Sequence, residues 1–213
     1  MPYLDIDAWP RRDHFHFYRT FDMPIFSVTV QVDVAALKAW TDQQAASFFL
    51  ATLYLSQQAV HAVEPFRYRL RGDRVWVHER VDAGSTVLRE DETFAFAYFE
   101  HAPTFAAFQQ SGRAVIEAAR ASTGLSPRDN GDALIHYSVL PWLHFTNMNN
   151  ARSGTPTDAI PKIVFGQYQP EGERLMMPVS IAVHHALMDG LHVGRYVEAM
   201  RTYCASPAAH LAG

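Results

Sequence analysis

The sequence has one cysteine, Cys204, so no disulfide can form within the chain, and a lone thiol fits a reducing compartment. No stretch approaches the roughly 18 uninterrupted apolar residues that a membrane-spanning helix needs. Positive charge is scarce. The 18 Lys+Arg stand against 22 Asp+Glu, a net charge of −4, whereas nucleic acids and anionic membranes reward a basic surface. The opening MPYLDIDAWPRRDH carries charges where a secretion leader needs an apolar run, which sets the expectation of a cytoplasmic protein. Linkers, internal repeats and low-complexity tracts are absent, so one domain over residues 1–213 is expected. GxSxG, GxGxxG and GxxxxGK are also missing, and with them the usual signs of a serine-hydrolase elbow, a dinucleotide site or a P-loop.

What is present is ample core material, 48% hydrophobic. Along 25–34, Phe26, Val28, Val30, Val32 and Val34 alternate with Ser27, Thr29, Gln31 and Asp33. That is a strand with one wet face, at an edge or in a half-covered sheet. Residues 47–63 are too long and too free of turn residues for a strand. Phe49, Leu50, Leu53, Val60 and Val63 recur there at helical spacing, and Pro65 ends the run. FRYRLR and RVWVHE flank Gly72-Asp73 as a hairpin whose charged positions are expected to be solvated. TFAFAYFE (93–100) reads as an aromatic strand, and a helix opens at Pro103 and runs to about Ala121. After the polar loop SPRDNGD, ALIHYSV (133–139) is a strand stopped by Pro141. PKIVFGQY and ERLMMPVSIAVHH bracket Pro170-Glu171-Gly172, another hairpin signal, and a last helix runs from about Gly190 to Cys204. Strands interleaved with helices, several joined as hairpins, predict an α/β fold: a mixed sheet with helices packed on it.

Histidine is abundant, with 11 residues. His14 and His16 alternate with Phe in HFHF and belong near the surface, and the polar neighbours of His61, His78, His101 and His210 predict solvated rings. His184-His185-Ala-Leu-Met-Asp189-Gly190-Leu-His192 differs. His185 continues the parity of Val179, Ile181 and Val183, and the strand then turns at Asp-Gly into a helix. Three readings stand. The histidines pack at a strand end while Asp189 caps the helix. Or His185, Asp189 and His192 hold a metal, although neither HExxH nor paired-Cys spacing is present. Or a half-desolvated neutral imidazole serves as general base. Cys204, on the packed side of the last helix, carries no sign of nucleophilic use.

The segment YQPEGERLMMPVSIAVHHALMDGLHVGRYVEAM resembles the C-terminal region of the chloramphenicol acetyltransferases, whose signature is HHxxxDG after an apolar strand. Further matches follow in order: Trp9-Pro-Arg11-Arg-Asp-His14-Phe15, the hairpin ending Val75-Trp76-Val77, Thr86-Val87 followed by Glu92-Thr93-Phe94, and Ser138-Val-Leu-Pro141-Trp142. The resemblance runs from about residue 3 to residue 204. It implies a two-layer α/β sandwich, a mixed sheet covered by helices. It also implies an acetyl-CoA-dependent O-acetyltransferase, with acetyl-CoA as co-substrate and no metal, acting on chloramphenicol and so inactivating the antibiotic. A homotrimer with its sites between subunits is implied as well. By motif position His185 would be the base, Asp189 would pair with Arg11 to fix the loop, and Ser138 would donate to the oxyanion. Phe17, Tyr18, Phe26, Phe94, His136, Met148 and Val164 would line the acceptor pocket.

The sequence departs from that pattern in places. Val164 stands where threonine is usual, Gln167 where lysine is common before the tyrosine, and His136 lies two residues before Ser138 on the same side of its strand. Met148-Asn-Asn150-Ala-Arg152-Ser-Gly is polar where the family is apolar. It either forms a polar pocket wall or is a solvated loop. Two other functions therefore stay open: a CoA-dependent acyltransferase for a more polar alcohol or amine, and a non-catalytic relative that sequesters a ligand.

Overall fold

In the computed structural model, residues 2–125, 127, 131–152 and 158–212 are described. Ser126 and Arg128–Asn130 of the SPRDNGD loop, and Ser153-Gly154 of the polar segment, lie outside them. The elements run α1 (Arg12–Tyr18), β1 (Ile25–Asp33), α2 (Ala35–Gln43), α3 (Phe48–Ala62), a 3₁₀ turn (Glu64–Arg67), β2 (Tyr68–Arg71), β3 (Arg74–Val77), β4 (Asp82–Leu88), β5 (Phe94–Phe99), α4 (Phe105–Ala121), β6 (Leu134–Leu140), β7 (Lys162–Gly166), β8 (Gln169–Glu171), β9 (Arg174–His184), α5 (Gly190–Ala205) and α6 (Pro207–Leu211). None of the described helices is long and apolar enough to cross a membrane.

Seven strands form one sheet in the order β1-β9-β7-β6-β4-β5, with β8 also paired to β9. It is mixed, because β4–β6 and β6–β7 are parallel and the other pairs antiparallel. Strand alternation divides its residues between two faces. Val28, Val30 and Val32 of β1 meet Ile181, Val179 and Met177 of β9 on the first face, and Tyr137, Ile163 and Phe165 join them in the main core. The apolar stripes of α3, α4 and α5 close over that face. The second face carries Thr29, Ser180, Val164 and Ser138 in one cross-strand row. The segment following β6 is laid over part of it. A Cβ on Gly166 would come within 2.8 Å of the Leu143 carbonyl, and Ser180 Oγ donates to Met148 O at 3.3 Å.

Most predicted elements are present, with shifted ends. The 47–63 helix is α3, with Ser47 as its N-cap, and the helix expected from Pro103 starts at Phe105 behind a Thr104 cap. Pro170 and Glu171 do not form the second hairpin's turn. They pair with β9 as β8, and the turn falls at Gly172, whose φ of +63° suits a glycine. α2 and β4 have no counterpart in the sequence reading.

The hairpin's charged positions are not all solvated. Arg69 is fully buried and donates to the carbonyls of Asp132, Phe66 and Tyr68 at 2.6–2.9 Å. A five-donor guanidinium can satisfy several chain ends at once, which is why this cation is tolerated inside. Three of the histidines also depart from expectation. His61 and His101 meet edge to face at 5.0 Å, and His78 Nε2 lies 3.0 Å from Asp132 Oδ1.

Candidate active site

A second, smaller cluster holds Phe15, Tyr68, Leu70, Val75, Ala186 and Leu187, with Trp9 and Tyr18 packed against it. Its consequence is positional, because it clamps α1 and the β2–β3 hairpin onto the loop after β9. The loop itself is one tight turn. Leu187 and Met188 N–H groups donate to His184 O at 3.0 and 3.2 Å, and His185 N–H donates to Pro24 O at 2.7 Å. Asp189 then caps α5, accepting from Leu191 N–H at 3.0 Å, while its own N–H donates to His192 Nδ1 at 3.1 Å.

Within this turn His185 Nδ1 lies 3.2 Å from Met188 O. A carbonyl oxygen only accepts, so Nδ1 is the donor in this contact, and in the neutral ring the lone pair is then on Nε2. Tyr18 stacks on the imidazole at 3.8 Å and 10°, and Phe26 tilts against it at 4.6 Å. Arg11 braces both ends of the turn, donating Nη2 to His185 O at 3.1 Å and forming an ion pair through Nη1 with Asp189 Oδ2. Burial pushes the Asp189 carboxyl upward, but Arg11 and His192 outweigh it and hold the group below the ordinary carboxylate value. His192 is shifted down, chiefly by burial against the opposing pull of Asp189. Its ring nitrogen is occupied in the capping box. Among the described residues no three His, Cys, Asp or Glu side chains gather as a metal-ligand set. The turn thus gathers His185, Arg11, Asp189, Tyr18 and Phe26, with Phe17 at its rim, 60% exposed and 5.1 Å from Tyr18.

The other residues singled out from sequence lie elsewhere. Ser138 and Phe94 share a mainly apolar cavity of about 660 Å³ with Phe49, Leu88, Leu140 and Trp142. His185 is not among the residues lining it. β6 is held in place from behind, where Tyr137 OH and Tyr196 OH meet the buried Ser56 Oγ at 3.0 and 2.7 Å. Val164, fully buried, sits between Ser138 and Ser180 in the sheet, and Met148 lies over Ser180. His136 is opposite Lys162, where burial, with Lys162 and nearby arginines, pushes its imidazole down to about 4. Asn149, Asn150 and Arg152 do line a cavity, of about 450 Å³, together with Ser27, Asp158 and His184. Those three residues of the polar segment are therefore part of a cavity wall. Cys204 is buried, and burial pushes its thiol up to about 12, far from a reactive thiolate.

Sequence reasoning missed Phe21, which joins Phe17 and Tyr18 at 5.1 and 5.3 Å, and it missed Lys162 and Asp158. Face parity with Val164, two residues on in the same strand, was the available signal for Lys162.

Comparison with known proteins decides the lineage. The chloramphenicol acetyltransferase family profile matches residues 1–201. The chain belongs to the chloramphenicol acetyltransferase family. It is accordingly an acyltransferase with that family's fold. Chloramphenicol acetyltransferase 3 of Escherichia coli is 33% identical over 205 residues, covering 95% of this chain and 96% of that protein. A solved chloramphenicol acetyltransferase superposes with a TM-score of 0.88 at 27% identity, covering 94% of this chain and 98% of the other. The cubic core of the pyruvate dehydrogenase multienzyme complex shares the fold, with a TM-score of 0.69 at 16% identity over 92% of this chain and 87% of that one.

Proposed function

We propose that the chain, acting as one domain over residues 1–213, transfers acetyl from acetyl-CoA to a hydroxyl of chloramphenicol and so inactivates the antibiotic in the cytoplasm. The observation that carries this reading is the state of His185. Its Nδ1–H is tied to Met188 O, and its Nε2 lone pair is left to act as a base on a ring held between Tyr18 and Phe26. In the step, Nε2 takes the hydroxyl proton as the acceptor oxygen bonds to the thioester carbon. Ser138 donates to the tetrahedral oxyanion, the C–S bond then breaks, and the proton passes to the CoA sulfur. A thioester is activated enough that one base and one oxyanion donor suffice without a covalent intermediate. Asp189 and Arg11 hold the turn and take no proton.

The same reading includes a homotrimer. His185 and the Ser138–Phe94 cavity are separate features of one chain, so a site needing both is completed when His185 of one copy faces the Ser138 cavity of the next. Exposed apolar side chains flank both places, Phe17, Phe21 and Met23 on one side and Leu88, Phe94, Trp142 and Leu143 on the other, as an interface between copies requires.

Thiol release from acetyl-CoA with chloramphenicol tests the proposal, with light scattering for the mass in solution. His185→Ala should lower kcat at least 10²–10⁴-fold or so, the usual worth of a general base. Wild-type rates in a folded His185→Ala protein would refute the mechanism, and a monomer active at full rate would refute the shared site.

A further inference from the structure

The second face of the sheet carries a group of charges that acetyl transfer does not use. β6 and β7 pair His136 with Lys162 and Ser138 with Val164, and β7 and β9 pair Lys162 with Ala182. Alternate residues share a face, so His136 and Lys162 lie beside each other two residues, roughly 7 Å, along the face from Ser138. The segment over that face adds Arg152 and Asp158. Arg152 Nη1 is 3.5 Å and Lys162 Nζ 4.0 Å from the two oxygens of the single Asp158 carboxylate. All three side chains are only 14–16% exposed.

Among the described residues the two sunken cations therefore share the one Asp158 carboxylate, and the other carboxylate lining the cavity, Asp22, is exposed at its rim. His136 adds no negative charge, and Lys162 Nζ donates its short bond to a neutral group, Ala151 O, at 2.6 Å. Among the described residues, the remaining contacts of Arg152, to Asp158 O at 3.4 Å and Ala182 O at 3.3 Å, are long, so its planar fork is held loosely. Beside it Asn150 Nδ2 is a buried donor without a partner among the described residues. Arg152 and Asn150 open onto the 450 Å³ cavity described above. A buried cation short of an anion is unfavourable, and an entering anion that takes up these donors relieves it.

We propose that Arg152, Lys162 and Asn150 form an anion-recognising subsite, and that beyond chloramphenicol itself the enzyme accepts, and binds more tightly, an alcohol or amine bearing a carboxylate or phosphate roughly 10 Å from the acetylated atom, one or two pleats away from Ser138. This rests on the proposed transfer, in which Ser138, on the same face, donates to the oxyanion formed as the acceptor is acetylated. The anion belongs to the acceptor and not to CoA, because an extended pantetheine arm sets the CoA phosphates roughly two to three pleats from the thioester, beyond this cluster. Asp158 holds the two cations in place and competes with the ligand. The transfer step itself is unchanged.

The test uses a matched pair of probes on one 2-acylamino-1-aryl-1,3-propanediol scaffold, one with a para-carboxylate and one with the neutral para-carboxamide. Binding is measured by calorimetry on the full chain and transfer by thiol release. The carboxylate should bind about tenfold more tightly, the scale of one charge-assisted contact. Arg152→Gln and Lys162→Gln should each cut that preference to about twofold, whereas Asp158→Asn should increase it, a gain that a damaged fold cannot mimic. Equal binding of both probes by the wild-type protein overturns the proposal, as does a preference untouched by all three variants. If the variants instead alter KM for acetyl-CoA but not for acetyl-dephospho-CoA, the cluster serves CoA and the acceptor assignment falls. Tight carboxylate binding with no thiol release from acetyl-CoA in the presence of either probe supports the subsite and defeats the acetyltransfer reading instead.

Discussion

The two faces of the sheet are made by the same strands, yet adjacent residues on them answer to different demands. On the first face Val179, Ile181 and Val183 pack beneath α3 and α5 with the rest of the main core. On the second, Ser180, Ala182 and His184 are just as buried, but they lie beside polar groups from the segment after β6. Burial is equal and chemistry is not. Within the sheet a side chain on the first face fills volume, whereas one on the second can bind or react. His185 continues the first-face parity but is freed from that demand, because it lies past the end of β9, in the turn. Substitutions of neighbours should separate the two. Ile181→Ala should cost about 2–5 kcal/mol by leaving a cavity in a packed core, while Ser180→Ala, which loses one long hydrogen bond, should cost about 1 kcal/mol. Denaturant titration of the pair checks this. Equal losses would mean that the second face is as tightly packed as the first.

The comparison reverses when the rate is measured. Ser138→Ala should leave the unfolding midpoint nearly unchanged and reduce kcat by about 10²–10³-fold, the effect of removing one oxyanion donor. Acetyl-CoA affinity should hold. A Ser138→Ala enzyme of normal rate would show that this face contributes no oxyanion donor.

Asp189 sits where the two demands meet, since it both caps α5 and pairs with Arg11. Asn is also a good N-cap, so Asp189→Asn keeps the cap and removes the ion pair. The group is partly exposed, so a stability loss of about 1 kcal/mol is expected. The rate should fall more than that figure implies, because the braced His185 turn loosens. If stability and kcat are both unchanged, the pair positions nothing.

How far the sequence disclosed these roles depended on whether one residue's own pattern carried the signal. The alternation along 25–34 and 174–184 was plain because β-branched residues mark the first face of β1 and β9. β4, DAGSTVL, was illegible because its buried positions are small, and α2 because it buries only Leu37 and Thr41. His185, Asp189 and Arg11 were accessible through motif resemblance, and the structure brings them together in one turn. Arg69 and Asp158 were not accessible, since a buried charge looks like a solvated one until its partners are placed. That the Ser138 cavity excludes His185 is a matter of three-dimensional arrangement, and nothing in residue spacing announces it.

The smallest effect concerns the histidines that looked solvated. His61, in the last turn of α3, accepts from Val81 N–H at 3.2 Å and faces His101, and burial, then His101 and Arg67, push it down to about 4. On the opposite side of the sheet burial and Lys162 do the same to His136. Both rings are neutral in the folded chain, whereas in the unfolded chain they take a proton near 6.5. The unfolded state then binds more protons below that pH, so their contribution to stability is complete above about 6.5 and is lost as the pH falls towards 4. Asp132, held well below the ordinary carboxylate value by Arg71 and His78 despite its burial, keeps its contribution until the solution is more acidic still. Thermal unfolding between pH 7 and 4.5 should therefore show a falling midpoint, about 2–4 °C per kcal/mol for a chain of this size. His61→Gln, which preserves an acceptor for Val81, should flatten part of that slope, and His136→Gln another part. A wild-type midpoint that stays level across this range would mean that water reaches both rings. The contrast between a sealed first face and a polar but equally buried second face would then fail on both sides at once.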